Sequence, residues 1–224
     1  GGNAGAGAFA IQRPNGTFLV VRGNNTTGTN IYDPVSNSFT AGPVLGGNAG
    51  AGAHAVQRPN GTFLIVRGNA TTTNIYDPVA NSFTVGPVLG GNAGAGAHAV
   101  QRPNGTFLIV LGNNSTTTNI YDPVGNTITA GPTLPTVGAG GHAIQRPDGK
   151  FLIVRGNNTT GTIIYDPVAN SFTTGPALGG NAGAGAHSIQ RPEGKFLIVR
   201  GNKTTGPNIY APVAKTMAAG PARP

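Results

Sequence analysis

The chain has 224 residues, 38 of them Gly and 18 Pro, with no Cys and no Trp, and its 14 Lys and Arg against six acids leave a net charge of +8. Only 9% of residues are charged, against roughly 25% in an ordinary globular domain, which excludes an ordinary helical protein; 38% hydrophobic residues in short recurring runs exclude a self-repelling disordered tail. Without Cys there is no disulfide framework, thiolate nucleophile or Cys-based metal centre, and no run approaches the ~18 apolar residues of a membrane span.

A tripeptide, Gln-Arg-Pro, recurs with its Arg at Arg13, Arg58, Arg102, Arg146 and Arg191, a spacing of 44 or 45 residues. Five units, 1–45, 46–89, 90–134, 135–178 and 179–224, then account for the whole chain, read as a single domain. Within the second unit, His54-Ala55-Val56-Gln57 ends at the turn Arg58-Pro59-Asn60-Gly61, where Asn-Gly suits a tight hairpin. Thr62-Phe63-Leu64-Ile65-Val66-Arg67 is a β-rich run closed by Gly68-Asn69. Thr72-Thr73-Asn74-Ile75-Tyr76 stops at Asp77-Pro78, because proline offers no ladder donor, and Ser82-Phe83-Thr84-Val85 stops at Gly86-Pro87.

Four short strands per unit at this period predict an all-β fold, a five-bladed β-propeller with four antiparallel strands per blade. The run Phe63–Val66 does not alternate, as expected of a blade with both faces packed. A parallel β-helix is the architectural alternative, but its coils are shorter and need no three hairpin stops per unit.

In a meander, the first and third turns of each blade leave on one face, and the second turn and the inter-blade connection on the other. The first face then carries the five Arg of Gln-Arg-Pro, all six acids, and Lys150, Lys195 and Lys215. Pairing of those Arg with Asp33, Asp77, Asp122 and Asp166 is the expected network there. The second face carries Arg22, Arg67, Arg155, Arg200, Lys203 and Arg223 with no acid, so electrostatic binding is expected on it.

The strings Ile75-Tyr76-Asp77-Pro78, Phe83, Gly86-Pro87, Gly96-Ala97-His98-Ala99, Asn104-Gly105 and Leu108-Ile109-Val110 resemble the kelch repeat, in all five units. The resemblance implies fold: kelch-like propellers include enzymes, actin-associated modules and substrate adaptors, so function has to come from sites. The Cys of the copper site in kelch-like galactose oxidases has no counterpart here.

His54, His98, His142 and His187 fit a ring of metal ligands or a packing role. Phe9 in the equivalent place favours packing, and neither metal nor cofactor is expected. Arg22, Arg67, Arg155 and Arg200, with Leu111 in the third unit, fit either bidentate grips on carboxylate or phosphate or solvated strand ends. Together with Asn24, Asn69, Asn113, Asn157 and Asn202 they form the expected ligand-binding set. The four Asp of Tyr-Asp-Pro read as turn residues that bond nearby amides.

No paired carboxylates stand apart from the repeat turns, no Ser-His-Asp order stands out, and near-interchangeable units suit several equivalent positions rather than one catalytic centre. The expected function is therefore a non-enzymatic multivalent propeller that binds a glycan or acidic polymer. The alternative is a structural subunit, through self-assembly or with other protein subunits. With no Trp and Phe committed to strands, specific nucleic-acid binding is not expected. Closure of the ring is expected to rest on blade 1 against blade 5, with Phe9, Ala211, Met217, Ala218 and Ala219 as adaptations of that seam or of an external contact.

Overall fold

The structure, a computed structural model, describes residues 2–202 and 204–221; Lys203 and Arg223 lie outside them. Twenty strands form five antiparallel sheets of four, each with its strands side by side in chain order, and the described residues contain no helix. This is the five-bladed propeller architecture that the repeat predicts. In blade 2 the strands are His54–Gln57, Phe63–Val66, Thr73–Asp77 and Ser82–Val85, from the innermost outward.

The second strand of each blade explains the unbroken apolar runs. Successive side chains point to opposite faces, so Leu64 and Val66 join a core with blade 3, while Ile65 and Phe63 join one with blade 1. Both faces are dry, hence no polar alternation. Tyr76, opposite Phe63 and Phe83 across the sheet, is fully buried, its ring centroid 5.0 Å from that of Phe83.

The turns are built by side chains the repeat supplies. Arg58 N donates to Thr62 O and Gly61 N to Arg58 O. Only Gly61 of the Asn-Gly pair takes positive φ, at 82°; Asn60 Oδ1 instead accepts from Thr62 N and Oγ1, which makes a three-residue loop rather than a two-residue hairpin turn. At the third turn, Asp77 Oδ1 accepts from Val79 N at 2.8 Å and Ala80 N at 3.0 Å, the Asx arrangement expected. Asp33, Asp122 and Asp166 do the same.

Between blades, four apolar clusters join blades 1 and 2, 2 and 3, 3 and 4, and 4 and 5. Each is flanked by a bridge from the second turn of one blade to the lead-in of the next: Thr26 with Ala49, Ala70 with Ala93, Ser115 with Val137, Thr159 with Ala182. On the opposite face Arg13, Arg58, Arg102 and Arg146 each reach the carbonyl of the proline that closes the third strand of the following blade, Pro78, Pro123 and Pro167 of Tyr-Asp-Pro and Pro212 of Tyr-Ala-Pro. The expected Arg–Asp network is thus replaced by Arg–carbonyl bonds. The Asp oxygens are already engaged by their own turns, and the proline carbonyl lies nearer the guanidinium.

Among the described residues no fifth interface is formed. Ile189 is 52% exposed, whereas its counterparts Ile11, Val56, Val100 and Ile144 are at most 5% exposed. On blade 1, Phe39 is 60% exposed and Tyr32 half-buried, while Tyr76, Tyr121, Tyr165 and Tyr210 are fully enclosed. Arg191 reaches no proline carbonyl and pairs with Glu193 at 2.9 Å. The expected seam of blade 1 on blade 5 is not formed among the described residues, and two of its expected adaptations serve other contacts: Phe9 packs at the interface of blades 1 and 2, and Met217 at that of blades 4 and 5.

Candidate functional site

The second turns and inter-blade connections do share one face, but their arginines are turned inward. Arg67 is 8% exposed, its Nε donates to Thr72 O, and burial lowers its pKa. Arg155 donates from Nε to Thr136 O and from Nη2 to Thr136 Oγ1, both at 3.0 Å. Arg200 Nε donates to Gly206 O, and Arg22 Nε is enclosed without a partner. In blade 3 the equivalent Leu111 is fully buried, which shows what the position does: it fills the gap beneath the loops. The Thr136 contact also accounts for the divergent Pro135-Thr136-Val137 segment, since Val137 is fully buried in the interface of blades 3 and 4.

The asparagines of the same face are turn residues. Asn24, Asn69, Asn113, Asn157 and Asn202 all hold φ between 49° and 54°, the left-handed region that Asn tolerates better than most residues. Two of them reach back to the preceding blade, Asn69 Nδ2 to Asn25 Oδ1 at 3.1 Å and Asn202 Nδ2 to Asn158 Oδ1 at 2.7 Å. On this face Arg67, Arg155 and Arg200, with Asn69 and Asn202, spend hydrogen bonds on the fold.

The inner strands hold a different set of groups. His54, His98, His142 and His187 each begin one of them, and each Nδ1 lies 2.8–3.0 Å from the carbonyl oxygen of the Gly two residues earlier. A carbonyl can only accept, so Nδ1 carries the proton and Nε2 keeps a lone pair. In His54, His98 and His142 that Nε2 is enclosed and has no hydrogen-bond partner. Burial lowers the pKa of all three, His98 to about 4 with His142 and His54 adding to the effect. At neutral pH these three imidazoles are uncharged acceptors.

Three residues along each inner strand sits an exposed Gln: Gln12, Gln57, Gln101, Gln145 and Gln190. In the sequence they stand as part of the Gln-Arg-Pro marker; the signal is a polar residue recurring at the end of every inner strand, paired in each blade with a Phe of the second strand. Between the inner strands of blades 3 and 4 lies a cleft of about 720 Å³, lined by His98, His142, Gln101, Gln145, Arg102 and Phe151 among others. A similar cleft of about 680 Å³ between blades 1 and 2 has Gln12 and Gln57 but, with Phe9 in blade 1, no imidazole lining it. Imidazole rings at one end and amide groups at the other line the first cleft, the Nε2 atoms of the imidazoles themselves being shielded from solvent. Its volume lies within the roughly 300–1,000 Å³ of small-molecule sites.

No family model matches the chain, and no curated protein matches it. Among solved structures it is similar to a fungal alcohol oxidase of the AA5 family in complex with copper, with TM-score 0.70 and 17% identity. The match covers 97% of this chain and 53% of that one, so the chain spans about half the length of that enzyme. At this identity the likeness is one of fold. It runs against the expectation of a non-enzymatic binding propeller or a structural subunit, because a chain of similar fold is an oxidase. The copper of that enzyme does not find a fitting donor set here: among the described residues no three His, Asp or Glu lie close enough together to hold a metal ion, and the tyrosine hydroxyls of blades 1 to 4 are bonded to Asn within their own turns.

Proposed function

We propose that the chain is an enzyme-type propeller whose working site is the cleft between the inner strands of blades 3 and 4, taking a small hydroxylated molecule. One observation carries the reading: His98 and His142 line that cleft with Nδ1 tied to a backbone carbonyl and Nε2 enclosed, unprotonated and without a partner. A buried acceptor left unsatisfied costs about 1–3 kcal/mol, and a hydroxyl donor entering the cleft relieves that cost. The imidazoles then act as proton acceptors for the bound O–H, while the free amides of Gln101 and Gln145 hold further hydroxyls. The neighbour's alcohol chemistry supports the substrate class, and the Tyr-Asp-Pro and inner-strand His pattern supports a kelch-like lineage.

The test is NMR titration of the imidazole Cε1–H resonances with a panel of small alcohols and polyols. Phe9 shows that an inner strand accepts Phe at this place, so His98→Phe and His142→Phe preserve the fold. Saturable shifts at both histidines, abolished by His98→Phe and weakened by Gln101→Ala with unchanged melting, are expected. Absence of shifts across the panel, or shifts that survive both Phe variants, overturns the reading.

A further inference from the structure

The faces left open at the two ends of the blade series are complementary to each other. Each of the four filled interfaces sets the first- and second-strand apolar residues of one blade, such as Ile144 and Leu152, against the second- and third-strand residues of the next, Ile198 and Tyr210. Blade 5 presents the first kind of face to solvent through Ile189, 52% exposed, and the half-buried Leu197. Blade 1 presents the second kind through half-buried Val20 and Tyr32 and Phe39, 60% exposed. Their counterparts Leu152, Ile198 and Tyr210 are fully enclosed.

The polar fittings of the interface are unused at the same ends. Arg191, placed like the four arginines that reach the next blade's proline carbonyl, has only Glu193, and Pro34 of blade 1 receives no such bond among the described residues. Gly7, Gly52, Gly96 and Gly140 each lie so close to a carbonyl of the following blade, Gly50, Gly94, Gly138 and Gly183, that a Cβ would collide with it; Gly185 has open space there. Four filled interfaces fix the turn from blade to blade, and at that turn blades 1 and 5 of one chain stay apart.

We infer that blade 5 of one molecule docks on blade 1 of a second copy of this chain, repeating the interface that the chain already forms four times. The contact is heterologous, since two different faces meet, so it continues from copy to copy until the rotation closes a ring. Ile189 of one copy seats against Val20 and Tyr32 of the other, Arg191 leaves Glu193 for the Pro34 carbonyl, and Gly185 admits the Gly5 carbonyl.

Sedimentation velocity over a concentration series tests this, with Ile189→Glu and Phe39→Glu as blocks on the two faces. Both residues are exposed in the single chain, so the charges leave its melting transition in place. Species larger than the monomer are expected to grow with concentration and to vanish in each variant; an equimolar mixture of the two variants, each with one sound face, is expected to stop at a dimer. In a Val20→Cys/Ile189→Cys chain, which has no other thiol, oxidation is expected to link different molecules. A monomer at every concentration, or a disulfide formed within single chains, overturns the inference, the latter by showing that the five blades close on themselves.

Discussion

The hydroxyl of Tyr165 donates to Asn170 Oδ1 at 2.8 Å, and Tyr32, Tyr76 and Tyr121 bond Asn37, Asn81 and Asn126 in the same way. Blade 5 breaks this pattern: the place of the Asn is taken by Lys215, and the Tyr210 hydroxyl is enclosed without a partner. Lys215 also keeps the left-handed φ of the Asn it replaces, 57°, which a lysine holds less readily. Lys215→Asn is therefore expected to stabilise the chain by about 1–2 kcal/mol, since it supplies the missing acceptor. In urea the midpoint should rise with unchanged slope, and Lys215→Ala should fail to reproduce the gain.

The arginines of Gln-Arg-Pro are expected to differ sharply by position. Arg58 donates from Nε at 3.2 Å and from Nη2 at 3.0 Å to Pro123 O, and from Nη1 to Thr62 Oγ1, so Arg58→Met should cost about 2 kcal/mol. Arg191→Met removes only an exposed ion pair with Glu193 and should leave the denaturation midpoint of the monomer unchanged. Equal losses at the two positions would show that the inter-blade bond is not what gives these residues their effect.

Stability is expected to fall on acidification. The folded-state pKa values of His54, His98 and His142 lie below the ordinary 6.5, with desolvation as the main cause. Below pH 6.5 the unfolded chain takes up protons that the folded chain refuses, so unfolding is favoured progressively until pH reaches the folded value, about 4 for His98. For that residue the full effect is roughly 3 kcal/mol. Melting temperature measured from pH 7 to pH 4 should decline, and His98→Phe should flatten the decline while leaving the value at pH 7 nearly unaltered.

Two glycines of almost the same φ should respond differently to a methyl group. Gly61, at 82°, has open space where a Cβ would go, so Gly61→Ala carries only the conformational penalty, about 1 kcal/mol. Gly52, at 81°, would drive its Cβ into the Gly94 carbonyl of the next blade. Gly52→Ala must open the interface of blades 2 and 3, and a loss of several times that of Gly61→Ala is expected in the same melts.

The blades were legible because every physical reason for them is local. Proline and Asx residues stop the strands where Asp77-Pro78 and Gly86-Pro87 fall, and the run Phe63–Val66 is continuous because Leu64 and Ile65 face different neighbours. The open ends were not legible, since Ile189 is chemically the same residue as Ile144 and nothing local records that its neighbour is absent. The Arg–Asp network was misread for another reason: formal charges are visible in a sequence, whereas the Pro78 carbonyl that Arg13 uses exists only once two blades are stacked. Arg67 looked available because Arg is usually solvated, and its burial follows from the glycine-rich loop that closes over it, with Gly47 lying against the guanidinium. Gln101 and Gln145 were overlooked because a residue used to phase the repeat draws no attention as chemistry.

Every strand pairs with a neighbour in sequence, and every filled interface joins consecutive blades. The free energy of such a chain is close to a sum of blade terms and nearest-neighbour couplings, as in a one-dimensional array. Blades 1 and 5 each lack one coupling, so they fray first, and amide exchange should grade from rapid in the terminal blades to slow in blade 3. Local opening then begins at the two ends, ahead of the cooperative transition.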